Sequence, residues 1–384
     1  MESDDSFDDH LAYTSLVLEN KTLDELLASL NFTSLGEFID FYGVELEPIA
    51  YDLSAEADAG LITSYTVIFL LALVGNILVV FAVVHKRSMR TVINAFIVSL
   101  ATSDLLITLF CIPFTLLEII TVDWVLGTYM CKLLNYITMV AVVSSVLTLT
   151  TIAVERHHAI CYPLRARIIQ TPRRAAILIA GLWVSSMLLV SPLLFVHKVI
   201  LKEDPLIATT YKFCREAWPH PEQKKAFTLL LVLFVYVIPV LTMTVLYLRV
   251  VHRLWIRKAI SPLEAQGSQA NASSLRNKRR ATKMLIVVVI LFAVCWLPFH
   301  VVSIIRDFSH MRDSERNRLM LAIVQLIGFS NSFNNPIVYA FLNENFKRTF
   351  RKTLCVRPQT NTAKKKAKKS TTHLVSPYAV QTTL

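Results

Sequence analysis

The 384-residue chain is 54% hydrophobic and only 17% charged, whereas a soluble domain carries about 25% charged residues. Its apolar residues gather in long runs, so the composition excludes an ordinary soluble domain and predicts a membrane protein. The formal net charge of +11 could suggest a nucleic-acid partner. The Lys and Arg residues are instead concentrated in alternate loops and near the C-terminus, which argues against nucleic acid.

Residues 1–60 are predicted to form an extracellular segment. They are acidic, with Lys21 as their only Lys or Arg, and lack the apolar core of a cleaved signal peptide. Asn20 and Asn31 each begin an Asn-x-Thr sequon and are candidate glycosylation sites. Apolar residues at helical spacing within 22–42 predict two short helices, with a disordered segment as the alternative.

Seven runs of mostly apolar residues follow, each long enough to cross about 30 Å of hydrocarbon as a helix. They lie near 61–85, 93–120, 128–161, 175–197, 225–252, 281–307 and 319–342. We therefore predict an all-α fold, a seven-transmembrane helix bundle over residues 61–342. Basic residues follow the first, third and fifth runs and the last one, which predicts an outer N-terminus and an inner C-terminus at the plasma membrane. Prolines inside the spans predict kinked helices, at Pro113, Pro192, Pro239, Pro298 and Pro336.

The residues after the bundle divide into two parts. Residues 343–355 are basic and amphipathic, which predicts a short eighth helix on the membrane surface, and Cys355 at its end is a candidate for palmitoylation. Residues 356–384 are predicted to be a disordered cytoplasmic tail. The Ser and Thr residues of this tail are candidate phosphorylation sites for arrestin recruitment, and its lysine run is a candidate contact with anionic membrane lipids.

Polar residues inside the spans are costly in lipid and are therefore candidates for function. One set offers carboxylate, hydroxyl and amide oxygens, which suit a hard cation such as sodium, and consists of Asp104, Ser145, Asn331, Ser332 and Asn335. The alternative is a hydrogen-bonded polar core without an ion. At the inner end of the third span, Glu155 could hold Arg156 in a charge-assisted pair. An ordinary interfacial ion pair is the alternative there.

The cysteines and the missing motifs limit the function further. Cys131 and Cys214 map to the outer side, where an oxidising environment makes a disulfide between them plausible. The sequence contains no metal-ligand spacing, no glycine-rich phosphate loop and no Ser/His/Asp arrangement typical of a catalytic triad. We therefore predict that the protein is not an enzyme.

An ordered set of motifs resembles the rhodopsin-like (class A) G-protein-coupled receptor family. The set is Gly75-Asn76, Leu100-Ala101-x-x-Asp104, Glu155-Arg156-His157, Trp183, Pro239 with Tyr247, Cys295-Trp296-Leu297-Pro298 and Asn335-Pro336-Ile337-Val338-Tyr339. The resemblance implies that the Asp104 set is an allosteric sodium pocket. It also implies an activation switch that couples a ligand to a G protein and comprises Glu155, Arg156, Tyr247, Phe292, Trp296, Pro336 and Tyr339. Lys278 stands where some members place an acid that locks the arginine, so no such lock is expected.

Longer stretches resemble the RFamide group of peptide receptors, in particular those for pyroglutamylated RFamide peptide. These stretches are 89–113, 291–302, 322–332 and 335–347. Orexin, cholecystokinin and neuropeptide FF receptors share much of the pattern and remain alternatives. Thr138 stands where amine receptors need an aspartate, and Phe329 stands where opsins need a lysine, so both of those classes are excluded.

The resemblance implies an amidated peptide ligand, and it suggests coupling to Gq with Gi as a second possibility. The candidate ligand-binding residues are Thr115, Thr138, Ser303, Asp307 and Gln325. Asp307, near the outer mouth, could pair with the arginine of an Arg-Phe-amide terminus. A transporter or channel, and a constitutively active receptor without a peptide agonist, are the competing hypotheses.

Overall fold

The structure is a computed structural model that describes residues 32–33, 54–121, 123–204, 209–264, 269–309 and 315–354. Several predictions lie outside these residues: most of the N-terminal helix pair, the sequons at Asn20 and Asn31, the lipidation site at Cys355, and the tail 356–384.

The described chain forms seven long helices and a short eighth one. They are α1 Ala55–His85, α2 Val92–Thr121, α3 Gly127–Cys161, α4 Pro172–Leu189, α5 Pro221–Glu264, α6 Gln269–Phe308, α7 Glu315–Leu342 and α8 Glu344–Leu354. A short helix, Pro163–Ile169, connects α3 to α4. Ser54, Thr91 and Thr171 begin α1, α2 and α4, where each side-chain oxygen accepts a hydrogen bond from a backbone N–H of the first turn.

The five prolines that were predicted to kink the spans lie in three kinds of position. In α2 a π-helical turn, Ile107–Cys111, ends two residues before Pro113, and in α5 a similar turn, Val232–Val237, ends two residues before Pro239. A π turn inside an α-helix carries one extra residue and changes which side chains face the core. Pro192 instead follows the end of α4. Pro298 and Pro336 lie inside α6 and α7.

Within the described residues, six helices are long and apolar enough to cross a membrane. The seventh, α7, is less apolar because a polar stretch at residues 330–335 interrupts it. Three residues of that stretch, Asn331, Ser332 and Asn335, are buried and the other three are partly buried, since α7 packs against both α1 and α6. Gly75 makes the approach of α1 possible, because a methyl group there would lie 2.8 Å from Pro336 Cβ. Asn76 Nδ2 also donates a hydrogen bond to the Ser332 carbonyl at 2.8 Å.

The bundle is apolar on its outside, which is the reverse of a soluble helical protein. Large side chains such as Leu70 and Val74 in α1 are about half exposed, although such side chains are mostly buried in a water-soluble protein. Hydrocarbon is the solvent that accepts such a surface without cost. The predicted membrane-spanning architecture is therefore confirmed.

A two-stranded antiparallel sheet covers one end of the bundle. Strand β1, His197–Asp204, pairs with β2, Thr209–Glu216. Cys214 of β2 forms the predicted disulfide with Cys131 near the start of α3, and their Cα atoms are 5.6 Å apart. Trp124 packs against this bridge and donates from Nε1 to the Gly127 carbonyl at 2.8 Å, which fixes the turn before α3. We call this the disulfide end of the bundle.

Candidate functional site

Asp307 lies near the last turn of α6, at the disulfide end, and its side chain is only 2% exposed. Lys224 Nζ of α5 lies 2.8 Å from Asp307 Oδ1. Thr228, one turn further along α5, donates from its hydroxyl to Oδ2 at 2.6 Å. Arg306 Nε is 3.7 Å from Oδ1. The acid that the sequence placed at the mouth of the bundle is thus already neutralised by side chains of the protein.

The deeper candidate residues come from four helices, namely Thr115 in α2, Thr138 in α3, Ser303 in α6 and Gln325 in α7, and all four are half-buried. Thr138 Oγ1 donates to the Leu134 carbonyl at 2.7 Å, and Ser303 Oγ donates to the Phe299 carbonyl at 2.8 Å. Both hydroxyls therefore have their proton committed to the backbone and retain lone pairs that can accept a hydrogen bond.

An aromatic cluster surrounds Trp296 of α6. The Trp296 ring meets the Phe299 ring edge-to-face with centroids 5.7 Å apart. Tyr236, in the π-helical turn of α5, packs against His300 at 4.7 Å and donates to the Ala293 carbonyl at 2.8 Å. Gly328 of α7 faces Trp296, and a methyl group at this position would lie 3.2 Å from the indole ring. The absence of a side chain at Gly328 therefore leaves room for the indole ring.

The predicted polar set is fully buried in the middle of the bundle. Asn335 Nδ2 donates to Asp104 Oδ2 at 3.0 Å, which joins α7 to α2. The remaining oxygens Asp104 Oδ1, Ser145 Oγ and Asn331 Oδ1 are buried and have no hydrogen-bond partner. A buried oxygen without a donor is costly. Their donor chemistry therefore fits a small hard cation with retained water.

At the opposite end of the bundle, the prediction that Glu155 holds Arg156 is wrong. Glu155 Oε1 lies 3.2 Å from Arg174 Nη2, and Gln170 Nε2 donates to Oε2 at 2.8 Å. Adjacent residues of a helix point in directions about 100° apart, so their side chains do not readily face each other. Arg156 Nε is buried and makes no hydrogen bond.

Arg156 lines an open cleft of about 820 Å³ at this end. The start of α2, the junction of α7 and α8 and the inner part of α6 form the rest of its wall. Across the mouth, Arg280 Nη1 of α6 lies 3.5 Å from Glu344 Oε1 of α8. At this end of the bundle, this ion pair therefore joins α6 to α8. The side chain of Lys278 lies outside the described part of the structure.

The other predicted switch residues lie in the core between the aromatic cluster and the cleft. Phe292, Tyr247 and Tyr339 are buried, and the Tyr339 hydroxyl has no hydrogen-bond partner. The Tyr339 ring stacks on Phe346 of α8 with centroids 5.6 Å apart. Pro336 lies one turn before Tyr339 in α7. Buried aromatic residues of α5, α6 and α7 thus lie between the aromatic cluster and the cleft.

Comparison with known proteins decides the family. The pattern described as "7 transmembrane receptor (rhodopsin family)" matches residues 75–339. The chain belongs to the rhodopsin family of G-protein-coupled receptors. This family consists of multi-pass plasma-membrane receptors that bind ligands and act through G proteins, and its members are not enzymes.

Three similar proteins are peptide receptors by name. The chain is 47% identical over 331 residues to a QRFP-like peptide receptor of Branchiostoma floridae, with 85% of this chain and 86% of the relative covered. It is 37% identical over 349 residues to the pyroglutamylated RF-amide peptide receptor of Mus musculus, covering 89% and 80%. It is 34% identical over 300 residues to neuropeptide FF receptor 2 of Rattus norvegicus, covering 75% and 71%.

Several residues that contact the candidate site residues were not identified from the sequence, among them Lys224, Thr228, Tyr236, His300 and Gly328. The spacing of Lys224 and Thr228, four apart at the start of a span, was a usable signal, because it places a cation and a hydroxyl on one helix face. The position of Tyr236 depends on the π-helical turn, which shifts the face of α5 and which helical periodicity does not reveal.

Proposed function

We propose that the receptor binds an amidated neuropeptide of the RFamide type at the disulfide end and relays this binding to a heterotrimeric G protein at the opposite end. The names of the two RFamide-related relatives support this ligand class. The observation that carries the proposal is the buried carboxylate of Asp307, which is built to hold a cation. An arginine near the peptide C-terminus supplies that cation and can bind a carboxylate through two parallel hydrogen bonds.

We attribute a preference for an amide over a free acid to two hydroxyls, one on α3 and one on α6. Thr138 and Ser303 offer lone pairs to a ligand, because their protons are bound to backbone carbonyls. A carboxamide can donate its N–H to such an oxygen, whereas a carboxylate only accepts and is repelled. Thr115 and Gln325 are proposed to complete this pocket.

The disulfide supports one orientation in the membrane, because such a bridge persists in an oxidising space. We place the disulfide end and the N-terminus outside the cell, with Asn20 and Asn31 glycosylated. The cleft beside Arg156 then faces the cytoplasm, where a G protein binds, with Gq as the first candidate and Gi as the second. Arrestin and inner-leaflet lipids are proposed partners of the C-terminal tail, with Cys355 palmitoylated.

A screen of amidated peptides against cells that express the receptor tests the proposal. We expect calcium release, or a fall in cAMP for Gi, with peptides that end in Arg-Phe-amide. The same peptides as free acids should be at least about 30-fold weaker, since an unpaired buried polar group costs about 2 kcal/mol or more. Basal signalling that no amidated peptide changes would contradict the proposal and favour a constitutively active receptor.

The oxygens around Asp104 are proposed to hold a sodium ion. When bound, the ion supplies positive charge to the buried carboxylate. Asp104, Ser145 and Asn331 would provide direct ligands, while Ser332 and Asn335 support the site. Asn335 already fixes one carboxylate oxygen by its hydrogen bond.

Replacing Asp104 with asparagine should abolish the dependence of agonist affinity on sodium. In the wild-type receptor we expect agonist affinity to fall by about fivefold or more when sodium replaces potassium, as is typical of coupling between two sites. In Asp104→Asn the two salts should give the same affinity, because a neutral amide attracts the ion far less. Competition binding in membranes measures this. A sodium effect that persists in the variant would contradict the site.

A further inference from the structure

We propose that Lys224 is an internal counter-cation that the arginine of the bound peptide must displace from Asp307. The inference rests on the proposed function and assigns to α5 a residue that sets the affinity and selectivity of the site. Lys224 Nζ lies 2.8 Å from Asp307 Oδ1, and the carboxylate is almost completely shielded from solvent. Such a carboxylate requires a positive partner in the free receptor and in the bound one.

The two oxygens of Asp307 have different partners. Oδ2 accepts the Thr228 hydroxyl at 2.6 Å, which is a neutral donor fixed on the adjacent turn of α5. Oδ1 faces the two cations, Lys224 at 2.8 Å and Arg306 at 3.7 Å. Thr228 therefore fixes the orientation of the carboxylate, while Oδ1 is the side at which one cation can replace another.

Lys224 is suited to leave this position. Its side chain is 31% exposed, so the ammonium group can move into water when a ligand arrives. A guanidinium binds a carboxylate with two donors held in a plane, whereas an ammonium is a single, strongly hydrated point charge. The exchange thus favours an arginine ligand. A neutral side chain gains nothing from the carboxylate and leaves the Lys224 pair intact, so the lysine lowers the affinity for an arginine ligand and leaves that for a neutral ligand nearly unchanged.

The test compares an Arg-Phe-amide peptide with its citrulline analogue, which replaces the guanidinium by a neutral group of similar shape. In the full-length receptor, Lys224→Gln should bind the arginine peptide about tenfold or more tightly than wild type. The closer internal cation no longer has to be displaced, and only Arg306, at 3.7 Å, remains beside Oδ1. Affinity for the citrulline peptide should change by less than about threefold. Lys224→Arg should bind the arginine peptide more weakly than wild type, because its own guanidinium holds Asp307 better.

Lys225 provides a matched control on the same turn. It carries the same charge, but its Nζ lies 2.9 Å from Glu222 Oε1 and its ammonium faces the Phe308 ring. Lys225→Gln should leave the affinity for both peptides unchanged. A gain for Lys225→Gln equal to that for Lys224→Gln would reduce the effect to net charge at the receptor mouth and overturn the inference.

Failure of the inference is distinguishable from failure of the proposed function. If wild type prefers arginine to citrulline but Lys224→Gln loses affinity or is unchanged, Lys224 is not displaced and the inference is wrong while the proposed ligand stands. If wild type binds both peptides equally, Asp307 does not recognise arginine and both proposals fail. Surface expression is measured in parallel, and Lys224→Arg tests the same order of affinities should Lys224→Gln fail to reach the membrane.

Discussion

Replacing Asp307 with alanine should lower the potency of an Arg-Phe-amide peptide by about 30-fold to 3,000-fold. Truncating one partner of a buried charge pair costs about 2–5 kcal/mol, and about 1.4 kcal/mol corresponds to a tenfold change. The loss has two sources: the peptide arginine loses its carboxylate, and Lys224 remains nearby as an unpaired cation that repels the ligand. Concentration–response curves for calcium release measure the effect.

Two further variants separate these sources. Asp307→Glu keeps the charge and should lose less than about tenfold, because the longer side chain can still reach a cation. Asp307→Ala with Lys224→Ala should recover part of the lost potency, since the repelling ammonium is gone. If Asp307→Ala and Asp307→Glu lose equal potency at equal surface expression, the carboxylate is not the group that binds the peptide.

Replacing Arg156 with alanine should reduce G-protein activation by about 30-fold or more, while peptide affinity stays within about threefold of wild type. Arg156 lies at the far end of α3 from Asp307 and lines the inner cleft. Its buried Nε makes no hydrogen bond and Glu155 is bound to Arg174, so the guanidinium is available to a partner that enters the cleft. Radioligand binding and nucleotide exchange on G protein, measured on the same membranes, separate the two effects.

Arg174 and its neighbour give a control for this mechanism. Arg174→Gln removes the cation from Glu155 and leaves this buried carboxylate with Gln170 as its partner. Its negative charge near Arg156 is then no longer balanced, so coupling should weaken by a few-fold. Arg173→Gln removes an equal charge from an exposed position that makes no ion pair with Glu155, and should have no effect. Normal nucleotide exchange by Arg156→Ala would contradict the role assigned to the arginine.

Much of the fold could be predicted from the sequence because lipid leaves few options. Long apolar runs such as that of α1 must form helices to satisfy their backbone groups, and the predicted boundary at His85 agrees with the structure. The disulfide between Cys131 and Cys214 was predicted because only these two cysteines mapped to the outer side, and the structure confirms it. The less apolar α7 was also predicted, as the run near 319–342, although a polar stretch interrupts it.

The side-chain partners could not be predicted in the same way. Glu155 was paired with Arg156 because they are adjacent in sequence, but on a helix the acid faces the connection to α4 and meets Arg174. Asp307 was predicted to pair with a cation of the ligand, whereas in the structure Lys224, 83 positions earlier in the chain, already pairs with this carboxylate. Such contacts depend on how the helices rotate and on local π-helical turns, and periodicity fixes neither.

Nucleotide exchange on purified heterotrimeric G protein, driven by the receptor in lipid membranes, tests the central claim most directly. We predict that an Arg-Phe-amide peptide stimulates exchange, that its free-acid form and its citrulline analogue are each at least about 30-fold less potent, and that Asp307→Ala removes the preference for arginine over citrulline. Equal stimulation by all three peptides, or none by any amidated peptide at saturating concentration, would contradict the account.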